Sequence, residues 1–510
     1  MFRLYAVFMV LLAACTLSSA EVDAIPPTAT TVRVIQSTLV PTLERQLQPI
    51  NTITPAPTTP LNPGCEATAG LPTAQHTVRA TVDYELHRVE VEQAIFYINR
   101  TDQPLTTLVL DIEPNRVPNA FTLNSVLPTE TVISYELTGR RLTLDLATPI
   151  EPECGLDVTL NYSLRVPEIQ RGLSGFTGYF GYSIRQMNLG HWLAMVAVHG
   201  IDDWVTHDAI PIGEQTVSEI ADWDVTLTVT NAPPNMVVAA PGTLRAEDGG
   251  LWRIVHTNAR DFTLSLSPFY EVYEQETANG VTVQLYAFGE NVVGSANGSQ
   301  QALTAAAQAM EMYSDLFGAY PYDRFVVIQG DFPDGMEFSD VVFVSDRWFE
   351  INTGTAESYL TFITVHETSH QWWYARVGND QALVPWLDEA LATYSELVYY
   401  EEFEPDLVDW WWNFRVNQYV GDRFSGNNVD ATVYQFASIR DYINAVYLRG
   451  AIMLEDLRAV LGTEDFFDWL RRYAEAGSGR IVTPDDFWGL LTPEQIELVA
   501  PIRVEYFGTP

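Results

Sequence analysis

The chain has 510 residues, of which 47% are apolar, and this length leaves room for two hydrophobic cores. Its 27 cationic residues are all arginine and are outnumbered by 66 acidic residues, so the net charge at pH 7 is −39. Such a charge favours solubility and disfavours binding to nucleic acid or to anionic membrane surfaces. We therefore expect no nucleic-acid partner.

A short apolar segment, residues 4–14, follows Arg3 at the N-terminus. It is too short to span a bilayer comfortably and is typical of a signal-peptide core. Residues 12–15, Leu-Ala-Ala-Cys, resemble the cleavage box of bacterial lipoproteins, in which the cysteine becomes the lipidated N-terminus. This predicts a signal peptide over 1–14, lipidation of Cys15, and a membrane-anchored protein that faces the cell exterior or the periplasm. The alternative is ordinary secretion with cleavage after Ala20.

Residues 15–65 are rich in threonine and proline and contain little apolar surface to bury. Their composition predicts an extended linker between the lipid anchor and the folded part of the chain. If Cys15 is lipidated, Cys65 and Cys154 remain, and a disulfide bond between them is permitted in an exported protein. The alternative is that both cysteines are unpaired.

Short apolar segments separated by turn residues recur through the first half of the chain, which is typical of an antiparallel β domain. The predicted strands are 77–82, 90–97, 105–112, 141–146, 156–164, 224–230 and 262–266. After about residue 272 the pattern changes to strands joined by long amphipathic helices. These strands are 281–288 and 325–329, and the helices are 300–317, 359–374, 388–402 and 446–461. We therefore predict an α+β fold, with a β domain over 66–270 and a second domain over 271–510.

Residues 366–370 read His-Glu-Thr-Ser-His, and Glu389 follows after eighteen further residues. A helix repeats every 3.6 residues, so His366 and His370 lie one turn apart on one face and can share a metal ion. Two imidazoles and one carboxylate are a ligand set of catalytic zinc, which leaves a fourth position for water. Glu367 lies beside the first ligand and can act as a general base toward that water. The sequence thus predicts one zinc ion bound by His366, His370 and Glu389.

The surroundings of this motif argue against the alternative of two surface histidines and an unrelated acid. The neighbouring side chains are large and apolar: Tyr359, Leu360, Phe362, Ile363, Val365, Trp372 and Trp373. Unpaired histidines and an acid would be costly inside such a helix without a metal or hydrogen-bond partners. Pro385 favours the start of a second helix, with Glu389 in its first turn. For Asp388 we favour a helix-dipole role, with support of a metal ligand as the alternative.

Three segments together resemble the gluzincin aminopeptidase family, which includes aminopeptidase N and leukotriene hydrolase. They are His366 to Tyr394, Gly335-Met336-Glu337-Phe338, and Val446-Tyr447-Leu448-Arg449-Gly450-Ala451. The resemblance covers roughly residues 80–500 and is stronger in the second half. It implies a saddle-like N-terminal β domain followed by a thermolysin-like, mostly α-helical zinc peptidase domain. Because the chain stops at residue 510, we also expect it to lack the large C-terminal helical domain of longer members and to have a more open cleft.

The same resemblance implies roles for the matched residues. Tyr447 would stabilise the oxyanion of the tetrahedral intermediate. Glu337 and Gly335 would be substrate-binding residues, with Glu337 binding the free α-amino group of a peptide. Two positions depart from the family's pattern, since Asp334 stands in place of its leading glycine and Phe338 in place of its closing asparagine. Glu337 alternates with apolar neighbours, as an exposed strand residue would.

The sequence therefore predicts a zinc aminopeptidase that acts on peptides outside the cytoplasm. The alternatives are an endopeptidase or an epoxide hydrolase with the same architecture, and an inactive surface-binding protein. Four other histidines lack ligand spacing and are expected to pack or to face solvent: His191, His199, His207 and His256. Asp380 is expected in a turn or behind the metal ligands, and the aromatic residues 410–412 in helix packing or along the cleft.

Overall fold

The computed structural model describes residues 33–35, 68, 70–170, 178–201, 203–289, 298–421 and 426–508. The predicted signal peptide, Cys15, Cys65 and all of the predicted linker except 33–35 lie outside these residues, so those predictions stay predictions. Cys154 takes part in a disulfide bond, which excludes the unpaired alternative for this cysteine. No helix among the described residues combines the length and the apolar composition needed to cross a bilayer.

The first half of the described chain consists of β-strands, most of them paired in antiparallel fashion. In chain order they are β1 Arg33–Ile35, β2 Ala74–Asp83, β3 Arg88–Ile98, β4 Leu105–Asp111, β5 Phe121–Leu127, β6 Val132–Thr138, β7 Arg141–Ile150, β8 Gly155–Arg165, β9 Phe180–Tyr182, β10 Met187–Leu189, β11 Met195–Val196, β12 Val198–His199, β13 Trp204–Val205, β14 Ala221–Thr230, β15 Val237–Ala239, β16 Thr243–Glu247, β17 Leu251–Ala259, β18 Leu264–Ser267 and β19 Tyr270–Glu276. All seven strands predicted for this half are present, although the last begins two residues late.

The largest sheet of the β domain has seven strands in the order β16-β17-β14-β2-β3-β8-β5. All of its pairs are antiparallel except β14 with β2. Residues along β14 alternate between buried and partly exposed, which is the pattern of a sheet with one face on a core. Two four-stranded sheets, β11-β4-β7-β6 and β15-β18-β10-β9, complete the domain together with the hairpin β12-β13. The predicted antiparallel β domain is confirmed.

In the second half, the described residues form six further strands and ten α-helices. The strands are β20 Thr282–Phe288, β21 Arg324–Gly330, β22 Gly335–Phe338, β23 Val341–Ser345, β24 Gly378–Asn379 and β25 Ile481–Val482. The helices are α1 Gly298–Phe317, α2 Asp346–Glu350, α3 Tyr359–Ser369, α4 Trp386–Phe403, α5 Val408–Trp411, α6 Ile439–Tyr442, α7 Arg449–Leu461, α8 Thr463–Ala476, α9 Pro484–Trp488 and α10 Pro493–Phe507. Together with the β domain they give the predicted α+β fold.

A six-stranded mixed sheet, in the order β1-β19-β20-β21-β23-β22, separates the two hydrophobic cores. Val327 and Val342 pack with the helices, whereas the neighbouring residues along the strands, Val326 and Val341, pack with the β domain. This division follows from the two-residue period of a strand. Both cores belong to one compact unit, Val32–Pro510. Strand β22 forms one edge of the sheet, and it runs beside α3.

The predicted helix over 359–374 is shorter than expected, because α3 ends at Ser369 and a π-helical turn follows. Trp373 and Tyr374 have non-helical backbone angles. The side chains after α3 form hydrogen bonds in different directions: Trp372 with Gly318 near α1, Trp373 with Ser395 on α4, and Tyr374 with Asp261 of the β domain. A straight helix could not supply all three. Another π-helical turn, Ile443–Leu448, precedes α7, so the helix predicted over 446–461 is α-helical only from Arg449.

The turn between β22 and β23 contains a buried carboxyl group, that of Asp340, and burial raises its pKa to about 7. Tyr320 and the backbone N–H of Gly242 donate hydrogen bonds to it, at 2.6 and 2.7 Å. The folded protein thus holds a proton that the unfolded chain releases near pH 4. Its stabilising effect is complete below that pH and is lost as the pH rises toward about 7.

We expect Asp340→Asn to stabilise the protein relative to wild type at pH 8 more than at pH 5, because the amide does not ionise. Asparagine tolerates the left-handed φ of 65° at this position. The difference in free energy of unfolding between variant and wild type should change by roughly 2 kcal/mol between the two pH values. Urea denaturation followed by tryptophan fluorescence measures it, with Asp102→Asn, at an exposed position, as the control. A difference that does not depend on pH would contradict the prediction.

Candidate active site

The structure brings the three predicted metal ligands together. His366 lies on α3, His370 directly follows that helix, and Glu389 lies in the first turn of α4, and all three side chains are buried. Oε2 of Glu389 is 3.2 Å from Nε2 of His366 and 3.7 Å from Nε2 of His370. Ligand atoms bound tetrahedrally to zinc at about 2.0–2.1 Å lie about 3.3 Å apart. The residues present therefore fit a zinc ion in their observed positions.

The outer nitrogen of His366 is held by Glu396, a residue that the sequence analysis missed. Nδ1 of His366 is 2.9 Å from Oε1 of Glu396, whose side chain is fully buried. The carboxylate also accepts hydrogen bonds from Trp411 Nε1, at 3.0 Å, and from the guanidinium of Arg415, at 2.9 Å. Burial alone would raise the pKa of Glu396, but Arg415 and His366 outweigh burial and lower the pKa. Glu396 therefore stays charged and fixes the orientation of the imidazole.

The outer nitrogen of His370 is held in the same way by Asp388. Its Nδ1 atom is 2.6 Å from Oδ1 of Asp388, and Gln381 donates a hydrogen bond of 2.9 Å to the other oxygen. Asp388 is fully buried, so the alternative role, support of a metal ligand, replaces the helix-dipole role that we favoured. Both histidines thus turn Nε2 toward the metal position, with Nδ1 bound to a carboxylate.

Glu367, the predicted general base, points into the same site. Its side chain is buried, and Oε2 has no hydrogen-bond partner among the described residues. Burial raises the pKa of Glu367 to about 7, although the two neighbouring imidazoles act in the opposite direction. A Cβ atom on Gly335 would lie 2.0 Å from Oε1 of Glu367. Gly335 is therefore needed where β22 passes the carboxylate, and the structure places it beside the base.

Tyr447 lies next to the metal ligands, on the π-helical turn before α7. Its ring is parallel to that of His366, with the centroids 5.8 Å apart, and its side chain forms a hydrogen bond with Glu389. A Cβ atom on Gly450 would lie 2.5 Å from Cβ of Ala390, the residue after Glu389. The close approach of α7 and α4 at this glycine brings the phenol to the site. Such π-helical turns are frequent at functional sites.

Glu337 is buried, so the expectation of an exposed strand residue is wrong. Alternation along a strand identifies an exposed face only where that face meets solvent, and here β22 is covered by α3 and by the π-helical turn that follows it. Oε1 of Glu337 accepts a hydrogen bond of 3.0 Å from Gln381. Burial, reinforced by neighbouring carboxylates, raises the pKa of Glu337 well above its usual value.

A further carboxylate, that of Glu214, reaches the site from the β domain and was not found from the sequence. One carboxylate oxygen each of Glu214, Glu337 and Glu389 lie within 4.8 Å of one another. Burial and the neighbouring carboxylates raise the pKa of Glu214 to about 8. No arginine forms an ion pair with Glu214 or Glu337 among the described residues, and the chain has no lysine.

The segment that carries Glu214 is held in place by a buried ion cluster of the β domain. Gln215 donates hydrogen bonds to the carbonyl oxygens of Ile212 and Gly213, at 2.8 and 2.7 Å. Arg140 donates to the carbonyl oxygen of Gln215, at 3.2 Å, and forms ion pairs with Asp111 and Glu113. Nothing in the local sequence indicates this arrangement, because the partners come from distant strands.

The remaining candidates lie outside the metal position. His191, His199 and His256 each pack against an aromatic ring, as expected. His207 lies 2.9 Å from Asp380, which also accepts backbone hydrogen bonds in the turn before α4, so the turn role of Asp380 is confirmed. Within the aromatic segment 410–412, Trp411 supports Glu396, whereas Trp410 stacks on Phe414 in helix packing.

Comparison with known proteins agrees with this geometry. Residues 301–504 match the Peptidase family M1 domain. The chain is 26% identical to Aminopeptidase M1-B of Oryza sativa subsp. japonica over 254 residues, which are 46% of this chain and 28% of that protein. It is 28% identical to Endoplasmic reticulum aminopeptidase 1 of Homo sapiens over 241 residues, which are 43% and 24% of the two chains. The chain thus spans about a quarter of the length of these curated relatives.

Solved structures show the same fold over nearly the whole chain. The M1 zinc metallopeptidase from Deinococcus radiodurans superimposes with a TM-score of 0.60 at 18% identity, covering 86% of this chain and 95% of that one. A point mutant of the same enzyme gives a TM-score of 0.61 with the same coverage. The fold is that of these M1 zinc metallopeptidases. Residues 301–504 match the M1 domain and the relatives are named aminopeptidases, so the resemblance to gluzincin aminopeptidases is confirmed, and this resemblance implies zinc as the metal.

We expect Glu396→Gln to weaken zinc binding about 10–100-fold, because the imidazole of His366 loses its charged partner. Competition with a chromophoric chelator measures the zinc affinity, and circular dichroism of the metal-free protein reports whether the variant is folded. Glu401→Gln is the matched control, since Glu401 lies on the same helix and pairs with an arginine, Arg458, away from the metal position. Unchanged zinc affinity in a folded Glu396→Gln protein would contradict the role given to Glu396.

Proposed function

We propose that this protein is a zinc-dependent aminopeptidase that removes N-terminal residues from peptides outside the cytoplasm. The observation that carries this proposal is a pair of carboxylates, those of Glu214 and Glu337, without an arginine as ion-pair partner among the described residues. One oxygen of each lies within 4.8 Å of a carboxylate oxygen of the metal ligand Glu389. One buried and one partly exposed carboxylate without a cationic side chain between them are suited to an ammonium group. Placed this close to the ligands, they leave room for only a short stretch of peptide between its amino end and the reacting bond.

The amine anchor fixes which bond is cleaved. An α-ammonium group bound between Glu214 and Glu337 would donate charge-assisted hydrogen bonds to both sides of the cleft, one to the β domain and one to β22. The carbonyl group of the first residue would then lie next to the metal position. This positioning converts binding energy into orientation of the scissile bond. An endopeptidase would gain nothing from a carboxylate couple at this point.

We infer that one zinc ion is held by His366, His370 and Glu389. When bound, it would supply Lewis-acid chemistry, which lowers the pKa of water and polarises a carbonyl oxygen. Glu367 would take a proton from the attacking water on its free oxygen and pass it to the leaving amine. The Tyr447 phenol would donate a hydrogen bond to the oxyanion that develops on the scissile carbonyl.

The cellular location is part of the proposal and rests on different observations. The disulfide bond of Cys154 favours an oxidising compartment, since disulfide bonds are rare in reducing cytosol. The apolar segment and the Leu-Ala-Ala-Cys box at the N-terminus support export and lipidation at Cys15. The curated relatives are named aminopeptidases, which supports the same reaction class for peptide substrates.

We expect the purified protein to hydrolyse aminoacyl-anilides, to lose this activity with a chelator, and to regain it with zinc. Acetylation of the substrate's amino group should abolish turnover.

Glu337→Gln and Glu214→Gln should each lower kcat/KM about 10–100-fold for free-amine substrates, because each removes a hydrogen bond to a charged group. Glu90→Gln, at an exposed position of the β domain, is the control. Undiminished cleavage of acetylated peptides would assign an endopeptidase instead, and hydrolysis of an epoxide alone would assign that alternative.

We expect Glu367→Gln to retain zinc but to lose at least about 10²-fold in kcat, because the base is absent.

Tyr447→Phe should lower kcat about 10²–10³-fold with little change in KM, because its hydroxyl acts mainly in the transition state. Steady-state kinetics on metal-replete protein separates these effects. Tyr400→Phe is the control, since its hydroxyl donates to a backbone carbonyl oxygen away from the metal position. A change confined to KM in Tyr447→Phe would refute the oxyanion role.

A further inference from the structure

We propose that Gln381 is a positioning residue that links the amine anchor to the metal ligands through one side-chain amide. This inference rests on the proposed function. The Nε2 atom of Gln381 is 3.0 Å from Oε1 of Glu337 and 2.9 Å from Oδ2 of Asp388. The other oxygen of Asp388 is 2.6 Å from Nδ1 of His370. A continuous path of three hydrogen bonds thus joins the substrate-binding carboxylate to a metal-binding imidazole.

The chemistry of the amide suits this bridge. An NH₂ group has two hydrogens, and here each is given to a different carboxylate. Glu337 and Asp388 are both buried, and when both are ionised they would repel each other without a donor between them. Among the described residues, no other donor reaches Glu337. The neutral amide satisfies both carboxylates, and it leaves their negative charge available for the metal and for the substrate amine.

Gln381 is itself held from the β domain. Thr216 donates a hydrogen bond of 3.2 Å to Oε1 of Gln381, and this fixes which way the NH₂ group points. Thr216 lies two residues beyond Glu214, the other half of the amine anchor. The amide therefore joins three parts of the site: the anchor segment of the β domain, the edge strand β22, and the helix α4. Gln381 lies on the segment before α4 and is almost completely buried, with 3% of its surface exposed.

Gln381→Met tests the bridge, because methionine fills a similar volume and has no N–H donor. The first readout is zinc affinity, by chelator competition in the absence of any substrate. The second is the inhibition constant of L-leucine, used as an amine probe at saturating zinc, together with the separate values of kcat and KM for an aminoacyl-anilide. We expect zinc affinity and leucine affinity each to fall about 10-fold and KM to rise by a similar factor, with kcat changing less than about threefold.

Gln329→Met is the matched control. Gln329 is also 3% exposed and donates to a carboxylate, Asp346, at 2.6 Å, while its carbonyl oxygen accepts from a backbone N–H. It should leave both affinities unchanged, because its partners lie outside the site. If Gln381→Met does not fold, Thr216→Val removes only the hydroxyl that orients the amide. Thr216→Val should then shift both affinities in the same direction by a smaller factor.

The background variant Glu337→Gln separates the two ends of the bridge. In that background, Gln381→Met should no longer change leucine affinity but should still weaken zinc binding. A folded Gln381→Met protein with either affinity unchanged would overturn the inference, and so would an undiminished effect on leucine in the Glu337→Gln background. These outcomes differ from failure of the proposed function, in which wild-type protein binds zinc but does not hydrolyse aminoacyl-anilides.

Discussion

The structure depends on one electrostatic constraint, which is an excess of buried carboxylates around a single position. Glu337, Glu367, Asp388, Glu389 and Glu396 all lie in the interior, within two helices and one edge strand. Burying carboxylates is costly unless each finds a cation or hydrogen-bond donors. Among the described residues, the protein supplies an arginine to Glu396 alone of these five, through Arg415. A divalent metal together with a substrate ammonium group, as proposed above, would balance the charge of these carboxylates.

The arginines that pair with carboxylates near the metal position lie on one side of it only. Arg415 sits behind His366, on the side away from the metal position, where it can hold Glu396 without competing for zinc. No arginine of the described residues pairs with Glu337 or Glu214 at the opposite end. An arginine there would occupy the place that we propose for the substrate amine. The absence of lysine from the whole chain fits the same arrangement, although it does not by itself indicate function.

The metal ligands were predictable because their geometry is local. His366 and His370 need only one helical turn to share a face, and their apolar neighbours indicate burial. Glu396 was equally open to prediction, since it lies seven residues after Glu389, two turns along the same buried helix. The burial of Glu337 was not, because alternation within β22 does not show what covers the strand. Glu214 lies on a segment whose position is set by Arg140 and a buried ion cluster, and such contacts between distant strands leave no local pattern.

The break after α3 shows how the fold overrides helical propensity close to the site. The sequence favours a continuous helix to residue 374, but the hydrogen bonds of Trp373 and Tyr374 pull the chain toward α4 and toward the β domain. As a result, the backbone carbonyl of Trp373 lies 3.1 Å from Nδ1 of His370, on the same side as Asp388. The departure from helical geometry therefore contributes to the orientation of a metal ligand.

Under the proposed function, selectivity for a peptide's amino end would depend on the contact between the two halves of the chain. The catalytic half holds every metal ligand, the base and the phenol, and this set alone would suit cleavage at any position in a peptide. The β domain contributes Glu214, and through Thr216 it also holds the amide of Gln381 against Glu337. Ile212, two residues before Glu214, packs in the core of the helical half, and this contact holds the anchor segment of the β domain against that half. A displacement of about 1 Å between anchor and metal would cost much of the orientation that catalysis needs. Under the proposed function, the packing of Ile212 would therefore help to set the distance from the substrate amine to the reacting bond.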